Sequence, residues 1–362
     1  MKYLAETIQG ESLFGAEFWD SAREYRMPQT QYLGSKERLV KWIYEVAPAG
    51  ISSFLDAFSG TSSVGFYFKT KGKKIISNDF LMFNYHIAKA LIENKNSRLD
   101  DEDICLLLER TGGADSLIKD TFTDVFFERD QAEFLDQFRA NVELLNDEHK
   151  ESLALAIMCR ALTRKVLLGH FAHLSALRYS KDPDRIRRNP SITRSLRDLF
   201  LELAAEYNDA VFDNGRDNSA YCEDTVELVK NLSNIDLAYF DPPYCGCHPD
   251  YQAFYHFLET FVRYWKDRTF VNDTKMYRPK MKSGFVLKSE IKKSFAELFR
   301  NSAHIPFWVV SYNSRSCPAK EDMLGMIGQY KKVKVFEYAY QNHYGGRGSR
   351  RGTKEYLFYC YD

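Results

Sequence analysis

The run Leu237-Ala238-Tyr239-Phe240-Asp241-Pro242-Pro243-Tyr244 joins a short apolar stretch to an abrupt stop. Its first half lacks polar alternation, the pattern of a strand covered on both faces in a parallel sheet. Pro242 and Pro243 fix φ and lack N–H donors, so a central ladder cannot continue through them. The chain therefore leaves the sheet at Asp241, at a strand's carboxyl end, where open α/β sheets gather their ligands. That exit offers one carboxylate, carbonyl acceptors whose direction the prolines restrict, and one aromatic ring. Such a set suits a flat amine. A strand closed by an ordinary Asp-Pro turn is the plainer reading of the same residues, and the rest of the chain decides between the two.

A chain of 362 residues can form one large domain or two. Lys+Arg and Asp+Glu both number 50, so no global positive field exists and any nucleic-acid surface must be a local basic patch. The 7 cysteines are odd in number and scattered, which argues against a disulfide framework and for a reducing compartment. Residues 1–15 carry Glu6 and Glu11 without a long apolar run and do not read as a signal peptide. No stretch has the length of a membrane span, and no internal repeat is evident. The expectation is a soluble, cytoplasmic protein.

Residues 31–36, Gln-Tyr-Leu-Gly-Ser-Lys, precede a helical spacing of Leu39, Trp42, Ile43 and Val46. Ser35 reads as the N-cap. Gly34 would let backbone N–H groups approach an anion, with Lys36 as countercharge; an ordinary capped surface helix is the alternative. Residues 51–65 read as strand, small-residue turn and helix, with Asp56 and Phe58 at the turn and Gly60 allowing close backbone approach. The glycines are too few for a dinucleotide fingerprint. A second strand over 73–77 ends in Asn78-Asp79, where an acidic side chain can accept from ribose hydroxyls, and Phe80 can pack on an adenine face. Asp224 is expected to end a third strand, over 220–224.

Between these units, residues 96–219 turn helical, with amphipathic patterns over 122–145 and 153–168. Their second half is basic: Arg178, Lys181, Arg185, Arg187, Arg188, Arg194 and Arg197, with Pro183 and Pro190 breaking any continuous helix. Loop-borne cations suit phosphate contacts and base-edge readout; a solvated helix face is the alternative. Near the end, strands are expected over 332–340 and 355–361. The loop between them interleaves glycine with Arg347, Arg350 and Arg351, suiting backbone phosphates or simply a flexible tip. Cys245-Gly246-Cys247-His248 lacks a fourth ligand at suitable spacing, so no metal is expected.

The four residues Asp241 to Tyr244 resemble motif IV of the amino-methyltransferases. Tyr32-Leu33-Gly34-Ser35-Lys36 looks like motif X, Asp56-Ala57-Phe58-Ser59-Gly60-Thr61-Ser62 like motif I, Asn78-Asp79 like motif II and Asp224 like motif III. Their order is that of the Dam-like, alpha-group N6-adenine DNA methyltransferases. Ser62 departs from the family, which usually has a second Gly there.

The resemblance implies an α/β fold: a Rossmann-like, mostly parallel sheet with a C-terminal antiparallel hairpin. Residues 1–95 and 220–362 would form the catalytic domain and 96–219 an inserted helical target-recognition domain. It implies S-adenosylmethionine as cofactor, held by Tyr32, Lys36, Asp56, Phe58, Gly60, Asp79, Phe80, Asp224 and Asp241. Double-stranded DNA is the implied partner, with a cognate restriction endonuclease left open and a monomer expected. Asp241, Pro242, Pro243 and Tyr244 would hold a flipped-out adenine, Asp241 and the Pro242 carbonyl taking the amine hydrogens and Tyr244 stacking on the base. Two rivals stand beside this reading: a methyltransferase of RNA or protein glutamine, and an inactive DNA-binding subunit.

Overall fold

The computed structural model describes residues 5–6, 25–109, 112–166, 169–174, 176–243, 250–339 and 354–362. Eight of its strands form one sheet: β1 (Ala5–Glu6), β2 (Ser53–Asp56), β3 (Lys74–Asn78), β4 (Ser219–Tyr221), β5 (Leu237–Phe240), β8 (Phe307–Asn313), β9 (Lys332–Ala339) and β10 (Lys354–Tyr361). A separate hairpin pairs β6 (Thr269–Val271) with β7 (Met276–Arg278). The sheet order is β1-β9-β10-β8-β5-β2-β3-β4. β10 runs antiparallel to both its neighbours, and every other pairing is parallel. The fold is the expected mixed α/β architecture, with the late hairpin strand inserted between β8 and β9.

From β2 the chain builds outward through β3 and β4 on one side, then returns to place β5, β8 and β10 on the other. The order therefore reverses between β2 and β5, the point where open sheets part to admit a ligand. Register brings the two ends level there, with Asp56 opposite Tyr239 and Ala57 N donating to Tyr239 O at 3.1 Å. β2 and β5 are buried throughout, and the unbroken apolar run of β5 fits that burial.

Alternation along each strand divides the apolar side chains between two faces. Leu55, Ile76, Ala238, Phe240, Trp308 and Val310 pack in one core with Phe295 and Phe299 of the helix Ile291–Asn301. Phe54, Tyr239, Val309 and Leu357 belong to the other. That second core runs without interruption into residues 96–219, through Phe138, Leu153 and Phe200 on the helices Arg129–Val142, Glu148–Lys165 and Leu196–Ala210. The expected insertion thus shares its interior with the sheet.

Local departures have local causes. The pattern over 122–145 divides, because Asp124 turns the chain at φ 63 and a new helix is opened at Glu128 by a reciprocal capping box with Gln131. The helix expected from residue 37 opens as a 3-10 turn, Glu37–Leu39, with Lys36 rather than Ser35 at the capping position. β4 stops at Tyr221. Asp224 instead begins the helix Thr225–Asn231, accepting from Val226 N at 2.8 Å.

Ser62 starts the helix Ser63–Thr70 in the left-handed region, φ 62 and ψ 17, where a Cβ is unfavourable. Its side chain is fully buried, and its hydroxyl has no hydrogen-bond partner among the described residues. Relief of both should outweigh the added chain entropy of glycine, itself about 0.4–1 kcal/mol. Ser62→Gly is expected to stabilise the fold by about 1 kcal/mol, read as a higher denaturant midpoint at unchanged slope.

Candidate active site

The carboxyl ends of β2, β3 and β5 meet in one cleft, closed on its open side by residues 32–36 and by the start of the helix Tyr251–Arg263. Tyr32 holds these last two together. Its ring stacks on Tyr255 at 4.7 Å and on Tyr251 at 5.6 Å between centroids. Leu33 N donates to the Tyr255 hydroxyl at 2.9 Å, and the Tyr251 hydroxyl donates to Leu33 O at 3.1 Å. Gly34, at φ +82, lies so close that an added Cβ would stand 2.8 Å from the Tyr251 oxygen.

Lys36 reaches from this segment into the cleft. Its ammonium donates to Asp241 Oδ2 at 2.6 Å and Oδ1 at 2.8 Å, and to Gly34 O at 3.2 Å. It lies 3.7 Å from Glu355 Oε1. The side chains of Lys36 and Asp241 are only 7% and 14% exposed, so this is a desolvated pair rather than a surface contact. Lys36, read from the sequence as countercharge for an anion at a helix start, is committed to a carboxylate of the protein itself.

Asp79 organises the turn after β2. Its Oδ2 accepts from Gly60 N at 2.8 Å, and its Oδ1 accepts from Leu81 N at 2.9 Å and Asn84 Nδ2 at 3.1 Å. Burial raises its pKa, and these three donors act against the rise. Gly60, at φ +49, faces the Tyr32 ring, which would lie 3.3 Å from an added Cβ. Asp56 is wholly buried and accepts from Gly65 N at 2.9 Å. Its pKa is pushed up to about 7, chiefly by burial and further by the nearby charges of Asp241 and Asp79. Phe58 and Phe80, both half-buried, line the same cleft.

The chain matches the D12 class N6 adenine-specific DNA methyltransferase family over residues 32–313. It belongs to that family. Among relatives, it is 32% identical over 343 residues to the type II methyltransferase M2.HphI of Haemophilus parahaemolyticus, covering 92% of this chain and 97% of that one. It is 26% identical over 343 residues to the type II methyltransferase M.NlaIII of Neisseria lactamica, covering 89% and 95%. The modification methylase StsI of Streptococcus sanguinis is 28% identical over 354 residues, covering 86% of this chain and 49% of that one.

Of the residues singled out in this methyltransferase's sequence, Tyr32, Lys36, Asp56, Phe58, Gly60, Asp79, Phe80, Asp241, Pro242 and Pro243 line one cleft. Asp224 does not: it is exposed and spent on its helix cap. Tyr244, Arg347, Arg350, Arg351 and the Cys245–His248 cluster lie outside the described residues. Among the described residues, Glu93, Glu148 and His149 gather ligand atoms within 4.8 Å of one another. The Lys89 ammonium already compensates them, at 2.9 Å from Glu148 and 3.3 Å from Glu93.

Two supporting residues, Glu259 and Glu355, escaped the sequence reading, and Asn78 was read only as part of a motif. Asn78 donates to Ala57 O, Glu223 O and Thr225 Oγ1, clamping the ends of β2 and β3 to the loop after β4. Glu259 is wholly buried and accepts from Met82 N at 3.1 Å and Phe83 N at 3.2 Å, capping the helix Met82–Ala88 from a distant element. Glu355 stands behind Lys36, 1% exposed. A carboxylate inside the apolar stripe Tyr255, Leu258 and Val262 was the available signal for Glu259.

Asp56 makes the pH dependence of stability testable. Unfolded, it titrates near pH 4; folded, near about 7. Between these values the native state binds more protons than the unfolded one, so Asp56 lowers stability as pH rises through that window. Asp56→Asn, which keeps an acceptor for Gly65 N, is expected to flatten that decline. Denaturant unfolding of both chains at a series of pH values between 4 and 7 checks it.

Proposed function

We propose that the cleft binds S-adenosylmethionine and presents a flipped-out adenine amine to it, with Asp241 as the principal acceptor. One observation carries this reading: Asp56, Asp79 and Asp241 converge on a cavity in which Lys36, already paired, is the described cation. Such a cleft brings together more carboxylates than cations, and it favours a cationic ligand. Bound there, S-adenosylmethionine would supply an electrophilic methyl group on a sulfonium. The residues present fit it. Asp79 Oδ2 takes one donor and keeps a lone pair for a ribose hydroxyl. Phe80 offers a flat face at the cleft wall, and Gly60 keeps the space before Tyr32 open.

Adenine's exocyclic amine is a poor nucleophile because its lone pair is delocalised into the ring. Asp241, paired with Lys36, is assigned one of the amine hydrogens, which it would draw from the ring plane. The Pro242 carbonyl is assigned the second hydrogen. Tyr244 is assigned to stack on the base from the sequence alone. Asp241 is too recessed for a paired base to reach, which supports extrusion of the target at a cost of a few kcal/mol.

DNA is assigned to the face bearing Arg178, Lys181, Arg187 and Arg188, all exposed. Arg185 and Arg178 flank the Tyr179 ring at 4.7 and 5.1 Å, whereas Arg194 is tied to Glu202. This segment starts against the cleft wall: Phe171 N donates to Phe254 O at 2.7 Å. The relative StsI is named a modification methylase, and we extend a modification role, with a partner endonuclease, to this chain.

Asp241→Ala leaves Lys36 its Gly34 and Glu355 neighbours, so the fold should survive. Methyl transfer to adenine is expected to fall at least about a hundredfold, with DNA affinity retained, measured by tritium transfer and by binding anisotropy. Transfer at the wild-type rate would overturn the assignment of Asp241. On the basic face, replacing Arg187 and Arg188 with Ala is expected to weaken DNA binding. The slope of log K against log salt should fall by roughly 0.9 per lost phosphate contact. An unchanged slope would move the DNA surface elsewhere.

A further inference from the structure

We propose that Glu355 is a positioning residue for methyl transfer, acting through Lys36 to keep the Asp241 carboxylate an effective acceptor. The inference rests on the role given above to Asp241. Glu355 lies on β10 opposite Asn313 and is 1% exposed. Its Oε1 accepts from Ser311 Oγ at 2.8 Å and stands 3.7 Å from Lys36 Nζ. A hydrogen bond to Ser311 needs only a neutral acceptor, which glutamine would supply at the same size. A charge in so buried a place is costly unless a countercharge compensates it. Lys36 is the cation within ion-pair reach of it among the described residues.

The ammonium therefore sits between two carboxylates with unequal claims: Asp241 in direct contact, Glu355 a step behind. That asymmetry has a use at the reacting end. If Lys36 gave its whole charge to Asp241, both carboxylate oxygens would be weakened as acceptors for the incoming amine. Glu355 draws part of that charge backward and offers the ammonium a second place to lean when the amine engages Asp241. It is not among the residues that line the cleft. The effect proposed for it passes through the lysine.

The test compares Glu355→Gln, Lys36→Met and the double variant in single-turnover methyl transfer to an adenine-containing duplex. Affinities for S-adenosylmethionine and for the duplex are measured in parallel. Glu355→Gln is expected to slow transfer about tenfold while both affinities stay at wild-type values, and the double variant to be no slower than Lys36→Met alone. Glu355→Asp, which keeps the charge, should recover most of the loss. Ser311→Ala, which removes the hydrogen bond but not the charge, should lie near wild type. Wild-type transfer by Glu355→Gln would overturn the proposal. So would losses that multiply in the double variant, or a Glu355→Gln chain that fails to fold, since each puts the charge outside the path through Lys36. Asp241→Ala in the same assay separates two failures: active, it removes the role of Asp241 itself; inactive beside a normal Glu355→Gln, it removes only that of Glu355.

Discussion

The ion pair between Lys36 and Asp241 is the constraint on which the rest of the cleft depends. It joins residues 205 positions apart, one from an irregular segment and one from the end of a central strand. Neither wall would define a binding space alone. The pair is desolvated, and a desolvated pair persists only when its geometry is good and its remaining hydrogen bonds are met. Here both carboxylate oxygens and the Gly34 carbonyl meet the ammonium. The tyrosine stack behind it then fixes the angle at which residues 32–36 cross the sheet ends.

Much of the fold was legible because it rests on local rules. Two prolines after an apolar run can end a central strand only at its edge, and β5 stops there. The apolar run Phe307–Val310 opens a strand that continues through Ser311, Tyr312 and Asn313. The helical patterning after residue 96 marks helices throughout, with breaks at turns whose chemistry is visible in hindsight: Asp124, Glu128 with Gln131, and Asp182 before Pro183. The carboxylates at the ends of β2, β3 and β5 were legible for the same reason, since strand ends in such sheets converge.

What was not legible depends on contacts between distant parts of the chain. Lys36 sits beside a glycine at a helix start, which spells an anion site locally; only the folded chain shows Asp241 at its tip. Asp224 follows a strand as Asp56 and Asp79 do, but β4 ends three residues earlier and the carboxylate turns to its own helix. Glu259 caps a helix it is not part of, and Glu355 balances a lysine from the far end of the chain. Polar groups buried among apolar ones announce that a partner exists, but not which one it is.

The interior shared by the sheet and residues 96–219 bears on how such an enzyme can evolve. A module with its own core can be exchanged like a cartridge, and its specificity travels with it. Here the ring of Phe257 packs among Phe122, Phe126, Phe127 and Phe171, on elements that lead into the basic face, while its helix also carries the tyrosines that brace Lys36. Grafting a foreign recognition segment would leave these rings without complementary neighbours and loosen the cleft as well. If the basic face reads DNA as proposed, drift toward a new DNA sequence would be confined to the exposed side chains of the segment, while the scaffold beneath them is held in place by its packing against the cleft.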